Sequence, residues 1–188
     1  MNQHSPAPRP AARLVLLAML CVLLTACSPL TVRDFAGTAP AFAPERFFEG
    51  VTSSWGVIEG RSGEPLRSLR TETSGRLAGD GALELDQTLT FGDGEVRRRS
   101  WRLVRVGEGR SRATASDISG EAVGEASGRA LRMEYALQLA PGSRWRTAHA
   151  THWMYLADDG ETMLNRVVLS KFGVVLATVS ETFRRRPG

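Results

Sequence analysis

Polar and apolar residues alternate strictly along several stretches of this chain. In LELDQTLTF, residues 83–91, Leu83, Leu85, Leu89 and Phe91 fall on one side, and Glu84, Asp86, Thr88 and Thr90 on the other. LRMEYALQL, residues 131–139, sets Leu131, Met133, Tyr135, Leu137 and Leu139 opposite Arg132, Glu134 and Gln138. A period of two marks a strand with one face in a core and one in water. MLNRVVLS (163–170) and VVLATVSETF (174–183) are β-branched and read as strands too. Turn signals punctuate the chain: RSGE at 61–64, AGDG at 78–81, GDG at 92–94, GEG at 107–109, PGS at 141–143, DDG at 158–160 and KFG at 171–173. SGEAVGEASG, residues 119–128, spaces Gly120, Gly124 and Gly128 by four and reads as a tight connection or a bulged strand. No segment past the first thirty residues shows a helical stripe. Short strands at this spacing predict an antiparallel up-and-down meander, which closure relieves of exposed edges. The expected fold is all-β: a lipocalin-like up-and-down barrel over residues 47–188, with a β-sandwich as the alternative.

The first thirty residues follow a different pattern. Arg9 and Arg13 precede a nearly unbroken apolar run from Leu14 to Leu24. That run is shorter than the ~20 residues needed to cross a bilayer. A basic flank, a short apolar core and small residues after it describe a removable export signal over residues 1–26. Leu24-Thr25-Ala26-Cys27 resembles the lipobox of bacterial lipoproteins. That resemblance implies diacylglycerol on the Cys27 thiol, cleavage before it and acylation of the new amino terminus. Ser28, where a retention signal would carry aspartate, implies the periplasmic face of the outer membrane. Two or more acyl chains anchor a protein stably without spanning the bilayer. Residues 27–46, rich in Pro, Ala and Gly, read as a lipidated tether and lead-in, with Phe35 and Phe42 able to pack on the domain.

Composition narrows this further. Loss of residues 1–26 leaves 188 − 26 = 162 residues, enough for one domain. It also removes Arg9 and Arg13 and no acid, so the net charge falls from +4 to +2. So small an excess implies no nucleic-acid partner. Cys21 leaves with the signal and Cys27 is acylated, so neither a disulfide nor a cysteine nucleophile is expected. His149 and His152, three apart on a strand, point to opposite faces, and no third mature histidine completes a metal site. The glycines of 119–128 do not match a dinucleotide fingerprint, and no nucleophile elbow is present. No cofactor and no catalytic residue is assigned. Arg97, Arg99 and Trp101 share a strand face opposite Arg98 and Arg102, the pattern of an anionic-head site or of a solvated face over a core tryptophan. Gln87 and Asn165 interrupt otherwise apolar faces.

Four strings carry a family resemblance: FFEGVTSSWGVIEGRSGE (47–64), LTFGDGEVRRRSW (89–101), the segment 113–137 around SGEAVGEASG, and HWMYLADDGETMLNRVVLSKFGVVLATVSETF (152–183). They are similar to the DUF3833 lipoproteins, a proteobacterial family of unknown function. The matching positions include Gly50, Trp55, Gly56, Asp93, Gly94, Glu95, Arg99, Trp101, Asp117, Gly120, Ala122 and Gly124. In the last string they are Trp153, Met154, Tyr155, Asn165, Arg166, Lys171, Phe172 and Gly173. His152 departs from the pattern, which carries aspartate there. From the residues and the resemblance together, Arg99, Trp101, Asp117, Trp153, Tyr155, Asn165 and Arg166 are the candidate ligand-binding set. The leading expectation is a membrane-anchored module that holds a lipid or other apolar small molecule. An envelope structural or protein-interaction role, and an enzyme working through Asp117, Arg99 or Arg166, are the alternatives.

Overall fold

The structure is a computed structural model and describes residues 29–186. Residues 1–26, read above as an export signal, and Cys27 lie outside the described residues. Val32 opens the compact unit that holds the barrel. Ten strands follow: β1 (Gly50–Gly60), β2 (Pro65–Leu77), β3 (Leu83–Phe91), β4 (Val96–Gly107), β5 (Arg110–Ala115), β6 (Ile118–Ser127), β7 (Ala130–Gln138), β8 (Thr147–Leu156), β9 (Thr162–Lys171) and β10 (Val174–Arg185). Each pairs antiparallel with its successor, and β1 pairs with β10 to close the cylinder. That last pairing excludes the sandwich. It also leaves no free sheet edge, which a ten-strand meander would otherwise expose on both sides.

Alternation decides which side chains enter the barrel. Leu83 and Leu85 of β3 are buried in one cluster with Trp101 and Leu103 of β4, Leu131, Met133 and Tyr135 of β7, Met154 and Leu156 of β8, and Met163 and Val167 of β9, and Phe91 is buried outside that cluster. Leu83 is fully buried, and a side chain of that size contributes about 1.5–3 kcal/mol by leaving water. The 119–128 segment is a bulged strand rather than a connection. Its register against β7 shifts between Ser119 and Val123, where Gly120 takes φ +76°.

One helix was not legible in the pattern. Residues 44–48, at the edge of the stretch read as a tether, form α1 (Pro44–Phe48), a single turn too short to show a stripe. Pro44 suits its first turn because that N–H has no partner to lose. Phe47 and Phe48 are buried, packed edge-to-face at 5.0 Å, and Phe48 meets Phe183 of β10 at 6.0 Å. α1 thereby plugs the barrel end that carries the β2–β3, β4–β5, β6–β7 and β8–β9 turns. The approach is close. A Cβ on Gly75 would stand 2.0 Å from the Phe48 carbonyl oxygen, so β2 needs glycine beneath the plug. Upstream, the 3-10 turn Val32–Phe35 packs on the outer face of β6 and β7.

Candidate functional site

Inside the barrel, the apolar lining is broken at mid-height by a belt of polar side chains. Ser54 from β1, Thr71 from β2, Gln87 from β3, Arg99 from β4, His152 from β8, Asn165 from β9 and Glu181 from β10 all take inward strand positions. Glu181 lies directly across from Gly56, where a Cβ would stand 2.5 Å from the glutamate Cγ. The missing side chain gives the carboxyl its room.

The belt is a directed hydrogen-bond chain. Ser54 Oγ donates to Glu181 Oε1 at 2.6 Å, and Thr71 Oγ1 donates to the same oxygen at 2.9 Å. Asn165 Nδ2 donates to Glu181 Oε2 at 3.3 Å. With its amide nitrogen so engaged, Asn165 turns its oxygen to His152, and His152 Nε2–H must be the donor. His152 Nδ1 is then left as the acceptor facing the Tyr135 hydroxyl at 3.4 Å. A second branch joins Gln87 Nε2 to Thr73 Oγ1 at 3.0 Å.

Burial sets the ionisation of this chain. It pulls His152 down to about 4, against a weaker upward pull from Asn165, with the nearby Arg99 charge adding to the fall. The imidazole is neutral at physiological pH. Burial also raises the Glu181 carboxyl above the usual carboxylate range, although Ser54, Thr71, Arg99 and Asn165 all favour its charged form. Tyr135 is pushed up to about 12 by the same desolvation and stays a phenol. Arg99 donates through Nε to Asp117 Oδ2 at 2.7 Å and lies 5.7 Å over the Trp101 ring. Asp117 leaves its other oxygen buried and unpartnered.

Between the belt and the plug lies a cavity of about 80 Å³. Leu83, Leu85, Trp101, Leu103, Leu131 and Phe183 are among its apolar walls, with Pro44 and Phe48 from α1. Thr71, Gln87, Arg99, His152, Asn165 and Glu181 supply its polar groups. The barrel is thus largely filled. Space of this size takes several waters or a short acyl segment, whereas drug-sized ligands occupy at least about 300 Å³. Met133, Met154 and Met163 also line it, and their unbranched thioethers can repack around a larger guest.

Of the candidate set, Arg99, Trp101 and Asn165 line this cavity, and Asp117 joins them through Arg99. The structure does not bring Trp153, Tyr155 and Arg166 to it. Their neighbours His152, Met154 and Asn165 point inward, so alternation sends these three outward. Trp153 and Tyr155 stack at 5.6 Å on the outer wall, and Phe35 of the lead-in covers both at 6.2 and 5.4 Å. Arg166 is exposed across from Trp153. These aromatics hold down the chain that enters the domain. Glu181, Ser54 and Thr71 are belt members that the sequence reading did not single out; His152 is weighed there only as a metal ligand and as a departure from the family pattern. The available signal was Glu181 sharing a strand face with Val179 and Phe183.

A family profile described as a protein of unknown function (DUF3833) matches residues 21–185. The chain belongs to this family. No curated protein matches it. Among solved structures, the S-type phycobiliprotein lyase CPES from Guillardia theta superposes with a TM-score of 0.59 at 10% identity, covering 85% of this chain and 99% of that chain. A DUF3598-family protein of unknown function from Nostoc punctiforme gives a TM-score of 0.49 at 13% identity, covering 80% of this chain and 53% of that chain. Likeness at such identity concerns fold, and the DUF3833 chain shares a lipocalin-like barrel with the Guillardia protein.

Proposed function

We propose that this DUF3833 protein is a lipid-anchored envelope protein whose barrel binds a small apolar or amphiphilic molecule. The tail would lie against Leu83, Leu85, Leu103 and the plug, and a polar head would reach the belt. One observation carries the reading: a continuous hydrogen-bond chain faces an otherwise apolar cavity in the middle of a closed barrel. Filling that interior with aliphatic side chains would be the simpler way to stabilise a barrel, since buried polar groups need partners to break even. Lipocalin-like barrels have room for one small ligand.

Binding is tested by thermal unfolding of the protein with fatty alcohols, fatty acids, quinones and haem. A true ligand at about 100 times its dissociation constant should add about 2.7 kcal/mol of stability. Asn165→Leu should weaken a hydroxyl-headed ligand more than the alkane of equal length. If no compound in the panel shifts the melt of the folded chain, the ligand reading fails.

The anchor rests on the sequence around Cys27. Cys27→Ser should release the protein from the membrane fraction and leave a larger, unprocessed form. Retention of that variant with the outer membrane at wild-type level would remove the lipoprotein assignment, and with it the envelope address.

A further inference from the structure

The barrel end opposite the plug carries an unusual hairpin tip. β9 and β10 are joined by Phe172 and Gly173, at φ +51° and +78°. A two-residue turn of this hand is normally built on asparagine or aspartate followed by glycine, because the left-handed region costs a bulky side chain about 1–2 kcal/mol. Phe172 accepts that cost and gains no burial in return, since it is 84% exposed. Val174 and Val175 beside it are exposed as well.

The two turns flanking this tip around the rim extend the same chemistry. The β1–β2 turn brings Arg61 and exposed Leu66, and the β7–β8 loop brings Arg144 over the Trp145 ring at 5.1 Å, followed by Arg146. Lys171 donates to the Thr147 carbonyl oxygen at 2.7 Å, tying the hairpin to that loop, and its ammonium lies 5.6 Å from the Phe172 ring. Arg61, Arg144, Arg146 and Lys171 thus surround the apolar tip, against the single acid Glu64 in these turns. At the β3–β4 turn on the same rim, by contrast, Arg67 meets Asp93 and Glu95 and Arg97 meets Glu95.

We propose that this crescent is a docking surface for an anionic bilayer, with Phe172 entering the headgroup–acyl boundary and the four cations meeting lipid phosphates. An aromatic tip, aliphatic shoulders and an excess of positive charge are the complement of such a surface. The proposal is independent of what the cavity holds.

The full chain is added to vesicles of phosphatidylcholine, with or without about one-third phosphatidylglycerol, carrying acyl-brominated lipid as quencher. Phe172→Trp should show quenching beyond that of the unsubstituted chain in anionic vesicles only. High salt, or Arg144→Glu with Arg146→Glu, should abolish the excess while the β-sheet circular dichroism is unchanged. No excess quenching in anionic vesicles overturns the proposal, and equal quenching in neutral vesicles overturns its charge chemistry. A tryptophan blue shift that grows with protein concentration in the absence of vesicles assigns the tip to a second copy of the chain instead.

Discussion

Acidification from neutral pH to about pH 4 should favour His152→Gln over the wild-type protein by about 3 kcal/mol of relative stability. The folded barrel holds His152 neutral by burial, lowering it from an ordinary value of 6.5 to about 4. A base with a depressed value contributes stability that is present above the unfolded value and is lost as pH falls through the folded one. Two to three pH units of separation at 1.36 kcal/mol each give the expected size. Glu181 has the opposite sign: its raised value supplies stability below the ordinary carboxylate range, lost as pH rises through the folded value. It is present in both proteins, as are Asp93, Glu95 and Asp159, whose values are lowered by local hydrogen bonds and whose contributions are lost as pH falls through and below the ordinary carboxylate range, equally in both. Comparing the two unfolding curves at each pH therefore isolates the imidazole. A stability difference that does not change with pH would mean that His152 is solvated and that the belt is open to water.

Phe48→Ala should cost about 3–5 kcal/mol in chemical denaturation, the range for removing a buried aromatic ring. The ring sits between Phe47 and Phe183 and forms part of the cavity floor. Its loss would leave α1 held by Phe47 alone of its two buried aromatic rings and would open a gap over Gly75 at the plugged end. Leu164→Ala, on the outer wall of β9 and 54% exposed, should change stability by no more than about 0.5 kcal/mol. Equal effects from the two substitutions would show that α1 does not close the barrel.

The helix that carries Phe48 shows where the sequence stops being informative. Strands announce themselves by alternation, and Leu83, Leu85 and Phe91 entered the core as their spacing required. Turn residues marked nearly every hairpin, the exception being β5–β6, where Ser116 and Asp117 offer no glycine or proline. A five-residue helix has no period to read, and its phenylalanines look like any apolar pair near a linker. The site was legible in part for a related reason. Asn165 and Gln87 stood out as amides on apolar faces, and both line the cavity. His152 read as an ordinary strand histidine because its partners come from other strands: Asn165 across the β8–β9 hairpin, and Glu181 one strand further on. Closure of β1 onto β10 then brings Ser54 to a carboxyl 127 residues away in the chain. No local pattern encodes a contact of that separation. Trp153, Tyr155 and Arg166 illustrate the converse, because a one-residue step along a strand moves a side chain to the other face.

On the proposed function, the space between belt and plug is occupied in the native protein. Native mass spectrometry of the intact protein, purified from its own membranes in mild detergent, tests that most directly. The expected spectrum shows the chain, with the acyl groups of the proposed Cys27 anchor, carrying one further small molecule, which leaves on unfolding and is depleted in Asn165→Leu. A folded protein whose mass is that of the chain and its acyl groups alone would contradict it.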